Sequence, residues 1–264
     1  MIKGIKLTTP GWHMKCGYIR DTWDCGETLE VEEKHTGRYG ARGQKRESKK
    51  EPAPEDIIRQ NQWKRVRELR RLIKWNFTTG DSWITLTYQK DKRVSWEEMI
   101  KHMQKFIRQL QTRYRKYGWI LKYIWRPQIG KRGAIHIHIL LNAESNTETR
   151  TEKIVRELWT HGNPNMKVVY DLKNGDLAEY IATPLQEWEP EKAKAYHPSR
   201  NLIRKEPSRK EIKRRSLIDK DGVVREPKAP KGYYVDPDSI KKGINPVTGY
   251  AYRHYTLVKI DRRI

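Results

Sequence analysis

Hydrophobic and polar positions alternate most strictly at Ala134-Ile135-His136-Ile137-His138-Ile139-Leu140. A β-strand turns successive side chains to opposite faces, so Ile135, Ile137 and Ile139 share one face while His136 and His138 share the other. Ser82-Trp83-Ile84-Thr85-Leu86-Thr87-Tyr88 is rich in β-branched and aromatic residues and follows the turn signal Thr79-Gly80-Asp81, which predicts a second such strand. Between the two, Trp96, Met99, Met103, Phe106, Leu110 and Tyr114 recur at three- and four-residue steps. Ser95 and Glu98 supply a capping box and Gly118 a stop, so this stretch is a helix. Residues 119–126 predict a strand and 127–133 a short basic turn, which pairs that strand with the histidine strand as an antiparallel hairpin. A helix over 152–159 closed by His161-Gly162, a strand over 167–170, and a short helix over 177–182 capped by Asp176 and ended by Pro184 follow.

Strand, helix, two strands, helix, strand is the split βαβ order. The expected fold class is therefore α+β, a ferredoxin-like antiparallel sheet with helices on one face. The histidines fall on a central strand, with Tyr180 arriving from a later helix.

Around this centre the pattern is weaker. Tyr18-Ile19-Arg20 and Thr28-Leu29-Glu30-Val31 suggest a small hairpin, followed by a basic loop through Gly37-Arg38-Tyr39-Gly40. After Pro52-Ala53-Pro54, Ile58, Val66, Leu69 and Ile73 mark a helix whose other faces carry Arg59, Lys64, Arg67 and Arg71. Beyond Glu189 the chain becomes basic, above all over 204–215, and a hairpin is expected over 249–260. The basic run is either a solvated tail or an arm that orders on DNA. The expected organisation is a basic N-terminal extension over 1–75, a central domain over 76–188, and a basic C-terminal segment over 189–264 packed on it.

Charge narrows the function. Lys and Arg number 56 against 33 Asp and Glu, a formal net charge of +23, which suits a protein that tracks a polyanion. Tryptophan and tyrosine dominate the aromatics, at 10 and 14 against 2 Phe; amphipathic rings among cations favour stacking on single-stranded bases. No apolar run approaches a membrane span and the N-terminal residues lack a signal-peptide core, so no membrane partner and a cytoplasmic location are expected. Cys16 and Cys25 are too few for a disulfide framework, and with His13 and His35 they match no zinc pattern closely.

Three motifs in order give this chain a resemblance to the HUH endonucleases, and among them to the rolling-circle replication initiators of phages, plasmids and integrative elements. Residues 83–88 resemble the first motif, His136-Ile137-His138 the metal-binding second, and Leu177-Ala178-Glu179-Tyr180 the third, which carries the nucleophile. Residues 156–162, the loop 35–40 and Ser199-Arg200-Asn201-Leu202 are similar to accessory stretches.

The resemblance implies that His136 and His138 bind Mg2+ or Mn2+, with Gln128 where relatives often carry a third, glutamate ligand. It also implies that Tyr180 attacks a phosphodiester to leave a 5′-phosphotyrosyl link and a free 3′-OH. Thr183 stands where the family usually has lysine, so Lys131 or Arg132 would have to supply that cation. Thr85, Thr87, Arg38, Arg200 and Arg204 are the further DNA-contact candidates, and Tyr170 and Tyr196 are rivals for the nucleophile. The implied partners are single-stranded or extruded origin DNA, a host polymerase and a separate helicase, since no Gly-x-x-x-x-Gly-Lys loop occurs. Alternatives are a transposase or relaxase with the same chemistry, or a single-strand binding protein whose catalysis has weakened.

Overall fold

The computed structural model describes residues 17–36, 54–90, 92–130, 133–170, 176–183, 190, 194–245 and 248–260. In chain order the elements are β1 (Tyr18–Asp24), β2 (Thr28–His35), α1 (Pro54–Asn76), β3 (Ser82–Thr87), α2 (Trp96–Lys116), β4 (Tyr123–Ile129), β5 (Ile135–Leu141), α3 (Thr151–Leu158), β6 (Pro164–Val168), α4 (Asp176–Ile181), β7 (His197–Pro198), β8 (Ser208–Ile212), α5 (Arg214–Leu217), β9 (Tyr233–Val235), β10 (Lys241–Ile244) and β11 (Ala251–Lys259). They form two compact units, one of 1–53 with 206–264 and the other of 54–205.

In the first unit the β1–β2 hairpin lies inside a six-stranded sheet, β10-β11-β2-β1-β8, with β9 paired to β11. The basic run beyond 204 is accordingly neither a tail nor an arm in this structure: 208–212 pair with β1 along its length, from Tyr18↔Ile212 to Thr22↔Ser208. Charge pairing holds the middle of this sheet. Glu33, fully buried, accepts from Arg20 Nε at 2.7 Å and from Arg253 Nε at 2.6 Å. Asp21, also buried, accepts Arg209 through two bonds of 2.6 and 2.8 Å.

The second unit carries a sheet in the order β6-β3-β5-β4-β7, every neighbouring pair antiparallel. Its first four strands follow the split βαβ order, and the mixed α+β fold is as the sequence predicts. The capping box is present: Ser95 Oγ accepts from Glu98 N while Glu98 accepts from Ser95 N. α2 lays Met99, Met103, Phe106, Leu110 and Tyr114 on Ile84, Leu86, Ile137 and Ile139, with Ile154 and Val155 of α3 in the same cluster. Each of these fully buried side chains stabilises the layer by about 1.5–3 kcal/mol.

Helices are not confined to one face. Leu69, Leu72 and Ile73 of α1 and Ala178 and Ile181 of α4 pack with Ile124 and Leu140, which point to the opposite side of the sheet. The apolar positions of α1 are placed to cover this face, so α1 groups with the sheet and not with the N-terminal hairpin, and the breaks in the chain fall at 53/54 and 205/206. Only part of that face is covered. At the other end of the same strands it presents Thr85, Thr87, Gln128, His136 and His138.

Two strands are displaced from their expected positions. β4 begins at Tyr123 and runs through Pro127 to Ile129. Residues 119–122 are held instead by side chains: Asn142 Nδ2 donates to Ile120 O, Asn201 Nδ2 to Leu121 O, and Asn142 Oδ1 accepts from Lys122 N. Pro127 is tolerated in β4 because the outer partner β7 pairs only with Ile124 and Trp125, leaving no ladder donor required at Pro127 on that side. β6 covers Pro164–Val168, a few residues before the predicted 167–170. Among the described residues no helix is long and apolar enough to cross a membrane.

Candidate active site

Strand register assembles the site. Across the three central strands Thr85 pairs with His138 and His138 with Arg126, and in the next row Thr87 pairs with His136 and His136 with Gln128. Paired residues share a face, so six polar side chains form two rows on one side of the sheet. Gly133, at φ +75°, takes the left-handed conformation in the β4–β5 connection that brings Gln128 opposite His136.

The short helix α4 lowers Tyr180 onto these rows. Its phenol lies 2.7 Å from His138 Nε2 and 3.3 Å from Gln128 Oε1. His138 Nδ1 meets Thr85 Oγ1 at 3.1 Å. The Nδ1–H tautomer donates to Thr85 and leaves the Nε2 lone pair directed at the phenol. Trp83 stacks parallel to the His138 ring and meets Tyr180 edge-on, at centroid distances of 5.4 and 5.8 Å. His136 stands edge-on to His138 at 4.9 Å. Two imidazoles and an amide oxygen therefore cluster around one hydroxyl.

The electrostatics keep this cluster neutral. Burial, then the nearby His136 and Arg126, push the His138 pKa down to about 4, so its lone pair is available at physiological pH. Burial raises the Tyr180 phenol above its ordinary value, and the Arg126 charge partly opposes that rise. Among the described residues no group of three or more His, Cys, Asp or Glu side chains is arranged to hold a metal ion. The donors at hand are two imidazole nitrogens and the Gln128 carbonyl. That set fits a weakly held divalent ion that completes its shell with water or substrate oxygens.

Arg126, absent from the sequence-based candidates, anchors the tyrosine helix. It is buried, and its guanidinium donates to the carbonyls of Ile181 and Thr183. From α1, Gln62 Nε2 donates to Ala182 O at 2.6 Å. The Thr183 hydroxyl turns back to the carbonyls of Glu179 and Tyr180 at 3.1 and 2.8 Å. The last carbonyls of a helix have no partner within it; here three side chains satisfy them, and a buried cation sits at the negative end of the helix. Thr183 is thus a cap where a lysine was expected from the resemblance. An arginine inside the apolar strand sequence Tyr123-Ile124-Trp125-Arg126 was the available signal for Arg126.

The other expected residues are distributed more widely. Thr87 Oγ1 donates to Asn163 O at 2.9 Å. Arg200 is exposed, and Arg204 approaches the carbonyl of Leu202 at 3.4 Å. Arg38, Lys131, Arg132, His13 and Cys16 lie outside the described residues; His35 stacks on Tyr250 at 3.8 Å. Of the rival tyrosines, Tyr170 is 81% exposed and Tyr196 packs beside α1, and neither meets the histidines. The stretch 156–162 buttresses β3: Trp159 Nε1 donates to Thr87 O at 3.0 Å, and a Cβ at Gly162 would collide with the backbone of Thr87 and Tyr88. Ser199 and Asn201 fasten the start of β4 and the segment before it through Tyr123 and Leu121.

Fold and site together define an α+β protein in which a His-x-His strand of a split βαβ sheet faces a tyrosine carried on a helix. Residues 81–186, running from the edge of β3 to just beyond α4, match the family model of the replication-associated protein ORF2. The matched segment is less than half of the chain but contains Gln128, His136, His138 and Tyr180, and it makes this region similar to replication-associated proteins of the initiator type. No curated protein and no solved structure matched the chain.

Proposed function

We propose that this protein initiates rolling-circle replication by nicking and rejoining single-stranded DNA through Tyr180. The observation that carries the proposal is the approach of the Tyr180 hydroxyl to His138 Nε2, at 2.7 Å, between residues 42 positions apart in the chain. In the reaction Tyr180 Oη forms a bond to phosphorus as the P–O3′ bond breaks; the phenol proton leaves and the departing oxygen ends as a 3′-hydroxyl. One phosphoester replaces another, so the strand can be resealed by the reverse step.

His136, His138 and Gln128 would hold the divalent ion, Mg2+ or Mn2+, and its contribution is to withdraw charge from the phosphate oxygens. His138, neutral above a pKa of about 4, keeps its Nε2 free of a proton for this purpose. Arg126, through the carbonyls of 181 and 183, holds the helix that aims the phenol. With no carboxylate among the donors, nitrogen ligands suit Mn2+ better than Mg2+, which prefers oxygen. The neutral donor set is also what a second reading would rest on, a single-strand binding protein with weakened catalysis. A transposase or relaxase would share the chemistry and differ only in the DNA that it joins.

The test is a labelled single-stranded oligonucleotide incubated with the protein and Mn2+, then run on a denaturing gel. A covalent adduct that is lost with EDTA and in Tyr180→Phe is expected. Retarded bands on native gels with none after denaturation would instead establish the binding protein.

A further inference from the structure

A cleft of about 530 Å³ opens in the second unit between α1 and the segment before β7, lined by Asn61, Lys64, Arg65, Glu68, Lys194 and Tyr196. Its volume is that of a small-molecule site, but its lining is polar and basic, three cations against one carboxylate. The carboxylate is only loosely engaged: Lys64 Nζ lies 3.9 Å from Glu68, with both side chains more than half exposed. Such an exposed pair contributes little and exchanges readily for another anion. No ion pair involves Arg65 or Lys194 among the described residues; Arg65 instead reaches the Gln62 amide oxygen at 3.3 Å. Tyr196 forms a half-buried aromatic wall beside these cations.

Gln62 ties this cleft to the candidate active site. The side chain that accepts from Arg65 donates to Ala182 O, two residues beyond Tyr180. An anion seated between Lys64, Arg65 and Lys194 would lie one hydrogen-bonded side chain away from the end of the tyrosine helix. Cations beside an aromatic wall, open at the surface, suit a phosphate backbone with an unstacked base against the ring, the arrangement by which proteins hold single strands.

We propose that this cleft binds the backbone of single-stranded DNA flanking the phosphate attacked by Tyr180. The inference deepens the nicking reading and rests on it for the identity of the strand. The full-length chain and its triple variant Lys64→Gln, Arg65→Gln, Lys194→Gln are titrated with a fluorescent single-stranded oligonucleotide over a salt series. A control triple variant, Lys101→Gln, Arg108→Gln, Lys153→Gln, removes exposed charge from α2 and α3, which cover the other face of the sheet. Three phosphate contacts on a single strand contribute about 2 to the slope of log K against log salt. The cleft variant is expected to lose that much slope relative to the control variant, with an unchanged melting temperature.

Equal slopes in the two variants would overturn the proposal, and so would a cleft-dependent slope seen with RNA of the same length but not with DNA. The adduct assay separates the two claims. An adduct in the wild-type chain with no slope change in the cleft variant retires the cleft alone, whereas a slope change in a chain that never forms an adduct retains the cleft and retires nicking.

Discussion

Both sheets bury polar side chains, and they do so in opposite ways. In the first unit the buried groups are charges, each matched by its opposite: Glu33 by Arg20 and Arg253, Asp21 by Arg209. In the second, the row of His136, His138 and Gln128 holds neutral acceptors, and the hydroxyl at their centre comes from a different element. Matched charges fix the register of a sheet but leave nothing to react, because each lone pair is already engaged by a cation. Neutral acceptors gathered on one hydroxyl hold a proton weakly and exchange it for another electrophile. The contrast separates buried polarity that serves architecture from buried polarity that serves chemistry.

Mutation of the two sheets should therefore give opposite phenotypes. The largest effect on stability is expected for Glu33→Ala, which strands the buried Arg253 without its carboxylate and should cost about 3–5 kcal/mol in urea unfolding. His138→Ala should instead abolish the adduct while unfolding near its wild-type midpoint. A neutral Glu33→Ala would break the comparison from the structural side.

Acid should produce the next largest effect. The pKa of His138 falls on folding from 6.5 to about 4, so the unfolded chain binds the proton more readily. The stability associated with neutral His138 is fully present above pH 6.5 and is lost as pH falls towards about 4, with an upper bound of about 3 kcal/mol. His197, stacked on Trp125 and lowered to about 4 by burial, shares the same window and sign. Unfolding free energies measured between pH 7 and pH 4 should fall less steeply in His138→Gln than in the wild type; parallel curves would place the acid sensitivity elsewhere.

The smallest effect sharpens the comparison most. Gln128→Glu supplies the second sheet with a buried-site charge like those of the first, and Mn2+ binding followed by calorimetry should tighten on the order of tenfold, about 1.4 kcal/mol. An unchanged affinity would remove Gln128 from the donor set.

How much of this could be read from the residues depends on the range of the interaction. Alternation in 134–140 and 82–88, and the Ser95/Glu98 box, are local, and the sheet order and α2 follow from them. The face shared by the two histidines was equally legible, since a period of two leaves no other choice. The start of β4 was not, because Asn142 and Asn201 satisfy the backbone of 120–122 from outside the strand. Nor was the second helical layer, whose α1 carries apolar positions that match either a free amphipathic helix or a sheet cover. Arg126 illustrates the limit most clearly: its partners are carbonyls 55 and 57 residues away, and a backbone acceptor leaves no mark on the side-chain pattern.

The most direct measurement is the identity of the residue that becomes linked to DNA. After reaction with a single-stranded oligonucleotide and Mn2+, the protein is digested and the nucleotide-bearing peptide sequenced by mass spectrometry. The nucleotide is predicted on Tyr180. Attachment at Tyr170 or Tyr196, or no attached peptide at all, would contradict the pairing of Tyr180 with His138 as the reacting centre.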